Sequence, residues 1–526
     1  MRFSLCLVPL LLAGCAASNA RTALPAPAIL PETASAEAKT RAALARIAAL
    51  NPRLGAVIAT DPTALAQARR LDGHSGATLL RGMPILIKDN IETAGPLPTT
   101  AGSLALANNV TGRDAPLVAG LRRAGAVIVG KANLSEWANI RDDDSISGWS
   151  AVGGQTRNPH ALNRNACGSS TGSAVAVAAG MVPAAIGTET DGSITCPAAM
   201  TGIVGFKPTV GLVSRTHVIP ISVSQDTPGP MARTVRDAAL VLEAIAGSDR
   251  ADAATAEADR RRVAYSQQLS TEALRGKRIG VMRFAAGFGT DDAFEEALAT
   301  LRGQGAELVE IKEYGGDRSA LGSNEFTVLL HEFKDGLNEY LATTPPAVTS
   351  RTLADVIEFN RRNADREMPL FDQDIFEQAQ ATDGMGSDKY RKARETSLRL
   401  AGAEGIDRLL RQHNVVALVG PTRGAAWLID TVHGDTSTGG GAGGSLAAVA
   451  GYPHLTVPMG AVRGLPIGLS FIGPKWSDAL ILSLGYAYEQ ASRKRIEPRL
   501  LPSIEQAPEV APFLQPQPRG PAAPAR

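Results

Sequence analysis

The apolar positions change period along the chain, and that change marks out its elements. Over residues 35–50, Ala43, Leu44, Ile47 and Leu50 recur at helical spacing behind Ser35, which suits an N-cap, and residues 63–71 give a second helix after Asp61-Pro62. Residues 82–89 then carry the unbroken run Met83-Pro84-Ile85-Leu86-Ile87, which predicts a short strand buried on both faces. A helix over 115–123 and a second buried strand over 126–130 follow. Beyond Gly276 the alternation resumes, with strands at 277–282 and 307–311 and helices at 324–341 and 390–412. Strands at 415–419, 454–457 and 465–472 precede a last helix at 478–492. Continuous apolar strands alternating with helices predict the α/β class, with a covered sheet. No internal repeat and no linker interrupts residues 36–497, so the pattern predicts one large domain, although 526 residues would allow more.

Composition narrows the partners. There are 53 Lys+Arg against 52 Asp+Glu, and no basic block interleaves with aromatics, which excludes a phosphate backbone and favours a small neutral substrate over nucleic acid. With 53 Gly and 4% aromatics, tight turns and a core of small aliphatic residues are expected.

The N-terminus carries Arg2, an apolar run over 3–12 that is too short to span a bilayer, and then Ala13-Gly14-Cys15, the layout of an export signal. Leu12-Ala13-Gly14-Cys15 resembles a bacterial lipobox, which implies a signal peptide over 1–15 and Cys15 as the lipid-bearing first residue of the mature protein. An ordinary secretory signal in which Cys15 is incidental is the alternative. Either way the chain is expected to be exported, periplasmic or anchored in a bacterial cell envelope, with membrane contact only through a lipid. Residues 16–35 read as a flexible tether and residues 498–526 as a Pro-rich disordered tail. Cys6 and Cys15 belong to the signal, which leaves Cys167 and Cys196. Export permits a disulfide between them, but two small buried thiols are the simpler expectation.

Three residues stand out chemically. Lys88 closes the apolar strand, where an ammonium loses hydration with little compensation, so burial should push it toward the neutral amine, which is a base. Ser169 lies in Cys167-Gly168-Ser169-Ser170-Thr171-Gly172-Ser173-Ala174, a turn leading into a helix-like run at 173–179 with its backbone donors. Ser193 follows Gly187-Thr188-Glu189-Thr190-Asp191-Gly192, a turn whose successive N–H groups suit a developing oxyanion. Nucleophile, relay hydroxyl, base and oxyanion donors are thus available without histidine. Taken singly, a strand-end lysine that snorkels and serines that satisfy turns are the ordinary readings; taken in this order they favour catalysis.

Together these motifs resemble the amidase signature family, as do the N-terminal helix and residues 82–90, 130–139, 153–159, 166–211, 451–460 and 465–474. The resemblance implies a central mixed, twisted sheet covered by helices on both faces. It implies a catalytic triad of Lys88, Ser169 and Ser193, with Ser169 following a cis peptide at Gly168, and an oxyanion hole on the backbone of Thr190, Asp191 and Gly192. Asp191 stands where the family has a small residue and Thr195 where it has Arg, which leaves the triad intact and substrate choice open. Asn133-Leu134-Ser135-Glu136-Trp137, Ser145-Ile146-Ser147-Gly148-Trp149-Ser150, Glu189-Thr190-Asp191-Gly192-Ser193-Ile194 and Val210-Gly211-Leu212-Val213-Ser214-Arg215 most resemble bacterial peptide amidases. This implies hydrolysis of the C-terminal carboxamide of peptides, with release of ammonia through an acyl-enzyme on Ser193. Alternatives are a broad-specificity amidase or esterase, a glutaminase-type component of a tRNA amidotransferase, whose cytosolic partners conflict with export, and a catalytically silent surface binding protein.

Competing motifs fail on context. Gly168-Ser169-Ser170-Thr171-Gly172 matches a nucleophile elbow centred on Ser170, but a polar loop rather than a strand precedes it. Residues 125–131 nearly spell a phosphate loop, yet Ala132 replaces Ser/Thr and the interior is strand-like. His331-Glu332 opens a zinc-protease motif that Asp335 leaves incomplete, so it reads as ordinary helix surface. The seven His lack ligand spacing and take no catalytic role, and neither a metal nor a cofactor is expected. Trp137, Trp149, Trp427 and Trp476 are left unassigned.

Overall fold

Ile85, Leu86 and Ile87 are each fully buried, because both faces of their strand are covered. The computed structural model describes residues 30–74, 76, 78–437, 439 and 442–515; the signal segment, Cys15 and residues 16–29 lie outside the described residues. The described strands are β1 Val57–Thr60, β2 Pro84–Lys88, β3 Val127–Ala132, β4 Trp149–Ser150, β5 Gly154–Gln155, β6 Ala184–Glu189, β7 Val204–Lys207, β8 Thr227–Ala232, β9 Arg278–Met282, β10 Glu307–Ile311, β11 Ala417–Pro421, β12 His454–Val462 and β13 Leu465–Ile472. β4 and β5 pair with each other, and the other strands form a single 11-stranded sheet in the order β1-β3-β2-β6-β8-β7-β12-β13-β11-β9-β10. It is mixed: β3, β2 and β6 run parallel, as do β11, β9 and β10, and the strands between are antiparallel.

Side chains alternate across a strand, so β2 divides its residues between two core layers. Ile85 and Ile87 pack with the helices Pro116–Arg123 and Val235–Ile245, whereas Leu86 packs with the helices Ala36–Leu54 and Thr171–Ala178. Burying each such side chain stabilises the fold by about 1.5–3 kcal/mol, and the double burial is why the sequence shows a run rather than an alternation. Lys88, two residues after Leu86, emerges on the face of the helix Thr171–Ala178.

The helices expected from periodicity form close to their predicted bounds. Ser35 caps the first, its Oγ accepting from the Ala38 N–H at 3.1 Å. The helix predicted over 390–412 is interrupted by a wide turn at Gly402–Ile406, where Gly405 leaves helical φ/ψ. The chain end departs from expectation. Residues 498–515 pack against the domain rather than trailing as a tail: Leu500, Ile504 and Ala507 are buried, and the Leu500 N–H donates to the Pro159 carbonyl at 2.9 Å. Apolar residues set between the prolines give this segment something to bury; residues 516–526 lie outside the described residues.

Candidate active site

Lys88 is fully buried, and its Nζ reaches three oxygens: Ser169 Oγ at 2.8 Å, Thr188 Oγ1 at 2.9 Å and the Thr188 carbonyl at 3.3 Å. Desolvation pushes its pKa down to about 7, against the opposing pull of Asp226 and Glu189. Neutral amine and ammonium both fit this shell. The neutral form donates twice to Thr188 and keeps its lone pair for the Ser169 hydroxyl proton.

Two backbone contacts hold Ser169 in place. The Ser135 N–H donates to the Ser169 carbonyl and the Ser170 N–H to the Ser193 carbonyl, each at 3.1 Å, so the second contact joins the two serine-bearing segments directly. The Gly168–Ser169 peptide is cis. Ser170 is otherwise engaged: its Oγ donates to the Thr188 carbonyl at 3.0 Å and accepts from the Thr188 N–H at 3.2 Å. No strand lies between Gln155 and Ser170, so the elbow geometry is missing as well.

Cys167 and Cys196 form a disulfide, with Cα atoms 6.0 Å apart, which corrects the expectation of two free thiols. Spacing alone gave no distance. The fold supplies it, because Cys167 immediately precedes the cis peptide and Cys196 lies in the first turn of the helix Thr195–Thr201, just past Ser193.

Ser193 lines a cavity of about 330 Å³ together with Gly168, Thr190, Asp191 and Gly192. Gly192 has φ +82°, a conformation that glycine adopts without strain. Among the described residues the N–H groups of Thr190, Asp191, Gly192 and Ser193 have no protein acceptor. The turn itself is fixed from both ends. The Glu189 carboxylate accepts from the N–H groups of Ile194 at 2.8 Å and Thr195 at 2.9 Å, and Asp226 accepts from the Thr190 hydroxyl at 2.5 Å and from the Ile221 and Ser222 N–H groups. Desolvation raises both carboxyl pKa values, opposed for Glu189 by Lys207 and those N–H donors and for Asp226 by Thr190 and its backbone donors.

A family model described as Amidase matches residues 38–482. The chain belongs to the amidase signature family. This amidase is 50% identical to the native peptide amidase of Stenotrophomonas maltophilia, over 88% of this chain and 95% of that one, with a TM-score of 0.83. It is 40% identical to a probable amidase of Arabidopsis thaliana, over 87% of each chain. It is also 35% identical to a glutamyl-tRNA(Gln) amidotransferase component of Symbiobacterium thermophilum, over 86% of this chain and 92% of that one. It is an amide-hydrolysing enzyme.

The remaining motifs of this amidase are structural. The phosphate-loop look-alike is β3, and its Lys131 is buried in an ion pair with Asp89 at 3.2 Å. His331 and Glu332 are buried rather than on a helix surface: Glu332 accepts from the hydroxyls of Tyr390 at 2.7 Å and Ser224 at 3.0 Å, which explains an acidic residue there without zinc. Among the described residues no group of three or more His, Cys, Asp or Glu is placed to hold a metal. Trp137 and Trp149 pack edge-on against Phe376 and Phe371, whereas Trp427 lines the cavity and donates to Asp435 at 3.1 Å. Sequence reasoning passed over Thr188 and Glu189, although both lie inside the motif around Ser193. It also passed over Leu329, Arg423, Asp435 and Ser437, which reach the cavity from distant segments and carry no local signal.

Proposed function

We propose that this amidase removes the C-terminal carboxamide of peptides, with Ser193 as nucleophile, Ser169 as relay, Lys88 as base, and the backbone of Thr190, Asp191 and Gly192 as oxyanion hole. The observation that carries this reading is the buried contact between Lys88 and Ser169, which couples a lysine poised near neutrality to a hydroxyl beside the Ser193 segment. Ser193 Oγ attacks the carboxamide carbon, its proton passing to Ser169 as the Ser169 proton passes to Lys88. The C–N bond then breaks as a proton returns by the same path to the nitrogen, which leaves as ammonia. Water, deprotonated through the relay, attacks the ester and releases the carboxylic acid.

The peptide-amide substrate is supported by the 50% identity to a peptide amidase and by space: a second chamber of about 380 Å³ adjoins the cavity at Ser193, more room than a small aliphatic amide fills. Export and attachment through lipid on Cys15 belong to the same reading, since peptide amides reach an envelope enzyme from outside. The test is ammonia release across N-acyl amino acid amides, dipeptide amides, aliphatic amides and free glutamine. A preference for the peptide amides supports the reading; equal rates on aliphatic amides, or hydrolysis of glutamine alone, removes it.

A further inference from the structure

Arg423 lies just beyond β11 where the two chambers meet, lining both, as do Asp191, Gly192 and Cys196. A guanidinium carries five N–H donors. Among the described residues this one makes a single long hydrogen bond, from Nη2 to Ser437 Oγ at 3.4 Å, and its Nε is buried without an acceptor. So many unused donors in a partly buried site are costly unless something that enters the site accepts from them.

The surrounding charges decide what that acceptor is. Arg423 is electrostatically coupled to two carboxyl groups, Asp191 and Asp435, yet forms an ion pair with neither. Asp435 Oδ1 is already engaged by the Ser147 N–H, Asn165 Nδ2 and Trp427 Nε1, each at 3.1 Å. Among the residues that line the Ser193 cavity, Asp191 and Asp435 stand beside the guanidinium of Arg423, Arg318 lining only the second chamber, so an anion entering there gains little over a neutral carbonyl oxygen, which takes the free N–H groups without bringing a charge against those acids. A peptide amide presents one such oxygen close to its carboxamide, on the peptide bond that acylates its last residue. An aliphatic amide has none.

We propose that Arg423 is a specificity-determining residue that donates hydrogen bonds to the main-chain carbonyl oxygen of the peptide bond nearest the scissile carboxamide. This rests on the peptide-amide reading above. It makes Arg423 the group that separates peptide amides from simple amides, acting on binding of the acyl chain rather than on the proton relay.

The experiment uses a matched pair of substrates, N-acetylphenylalaninamide and 3-phenylpropanamide, which share the aromatic side chain and the carboxamide and differ in the acylamino group. Purified mature enzyme should favour the first in kcat/KM. In Arg423→Met that preference should fall about ten- to hundredfold, chiefly through KM, as expected for loss of hydrogen bonds from a charged donor. Arg423→Lys keeps the charge that balances Asp191 and Asp435 but loses the planar fork, so it should not restore the preference. A preference that survives within twofold in Arg423→Met, or that Arg423→Lys restores in full, overturns the proposal. If Arg423→Met fails to fold, as judged by its melting curve, Arg423→Lys alone carries the same test. Absence of the preference in the wild-type enzyme removes the peptide-amide reading together with this inference, whereas a wild-type preference that both variants retain removes the inference alone.

Discussion

Lys88 Nζ sits 2.8 Å from Ser169 Oγ, and the other oxygens in hydrogen-bond reach of it, both from Thr188, are uncharged as well. No carboxylate is among its hydrogen-bond partners, so burial governs its proton affinity.

Activity should therefore rise with pH along a limb near 7, because only the neutral amine accepts a proton and the pKa of Lys88 is about 7. Lys88→Arg should lose about a thousandfold in kcat, nearly as much as Lys88→Ala should, since guanidinium stays charged. Substantial activity in Lys88→Arg would refute the neutral-lysine mechanism.

The same shift ties stability to pH. Unfolding returns Lys88 to an ordinary pKa near 10.5. Between about 7 and 10.5 the unfolded chain therefore binds one more proton than the folded one, and the wild type should gain up to about 1.4 kcal/mol per pH unit relative to Lys88→Met. Below pH 7 the two should run in parallel. Urea unfolding at pH 6.5, 8 and 9.5 measures the difference, and a gap that does not change with pH contradicts the burial argument.

Ser193→Ala should abolish labelling by a fluorophosphonate. Ser170→Ala should keep a measurable rate while losing about 1–3 kcal/mol of stability, because the Ser170 hydroxyl satisfies buried Thr188 groups. Mass spectrometry of the adduct identifies the modified serine, and label on Ser170 would reverse the assignment.

The Cys167–Cys196 bridge spans a sequence separation of 29 and should contribute about 3.5 kcal/mol by restricting the unfolded chain. The Cys167→Ala/Cys196→Ala double variant should unfold at correspondingly lower urea. Equal midpoints with and without reductant in the wild type would indicate that the bridge does not form in solution.

For anchoring, Cys15→Ser should shift the protein from the membrane fraction to the soluble one or block its processing. Soluble protein in both forms would leave Cys15 without a lipid role.

The parts legible in sequence were those whose physics is local. The doubly covered β2 announced itself as an apolar run, Ser35 as a cap, and the serine turns as Gly-rich motifs. β8 was hidden because Thr227-Pro228-Gly229-Pro230 carries two prolines inside what proves to be an interior strand, against the usual exclusion of proline from such positions. The disulfide, and the approach of Arg423 and Asp435 to Ser193, depend on how the chain folds back on itself; Arg423 and Asp435 come from more than two hundred positions beyond Ser193, and no window of sequence contains that information.

The cavity walls have two origins. Lys88, Ser169 and Ser193 all stand on or beside the parallel strands at one end of the sheet, whereas Leu329, Arg423, Trp427, Asp435 and Ser437 come from the later half of the chain. The proposed triad thus lies wholly in the earlier half, while the wall beside it is shared between Ala138, Asn139, Ile140 and Ser147 of that half and the later segments, so a lineage can exchange one amide for another by remodelling the later half's share while the triad is inherited unchanged.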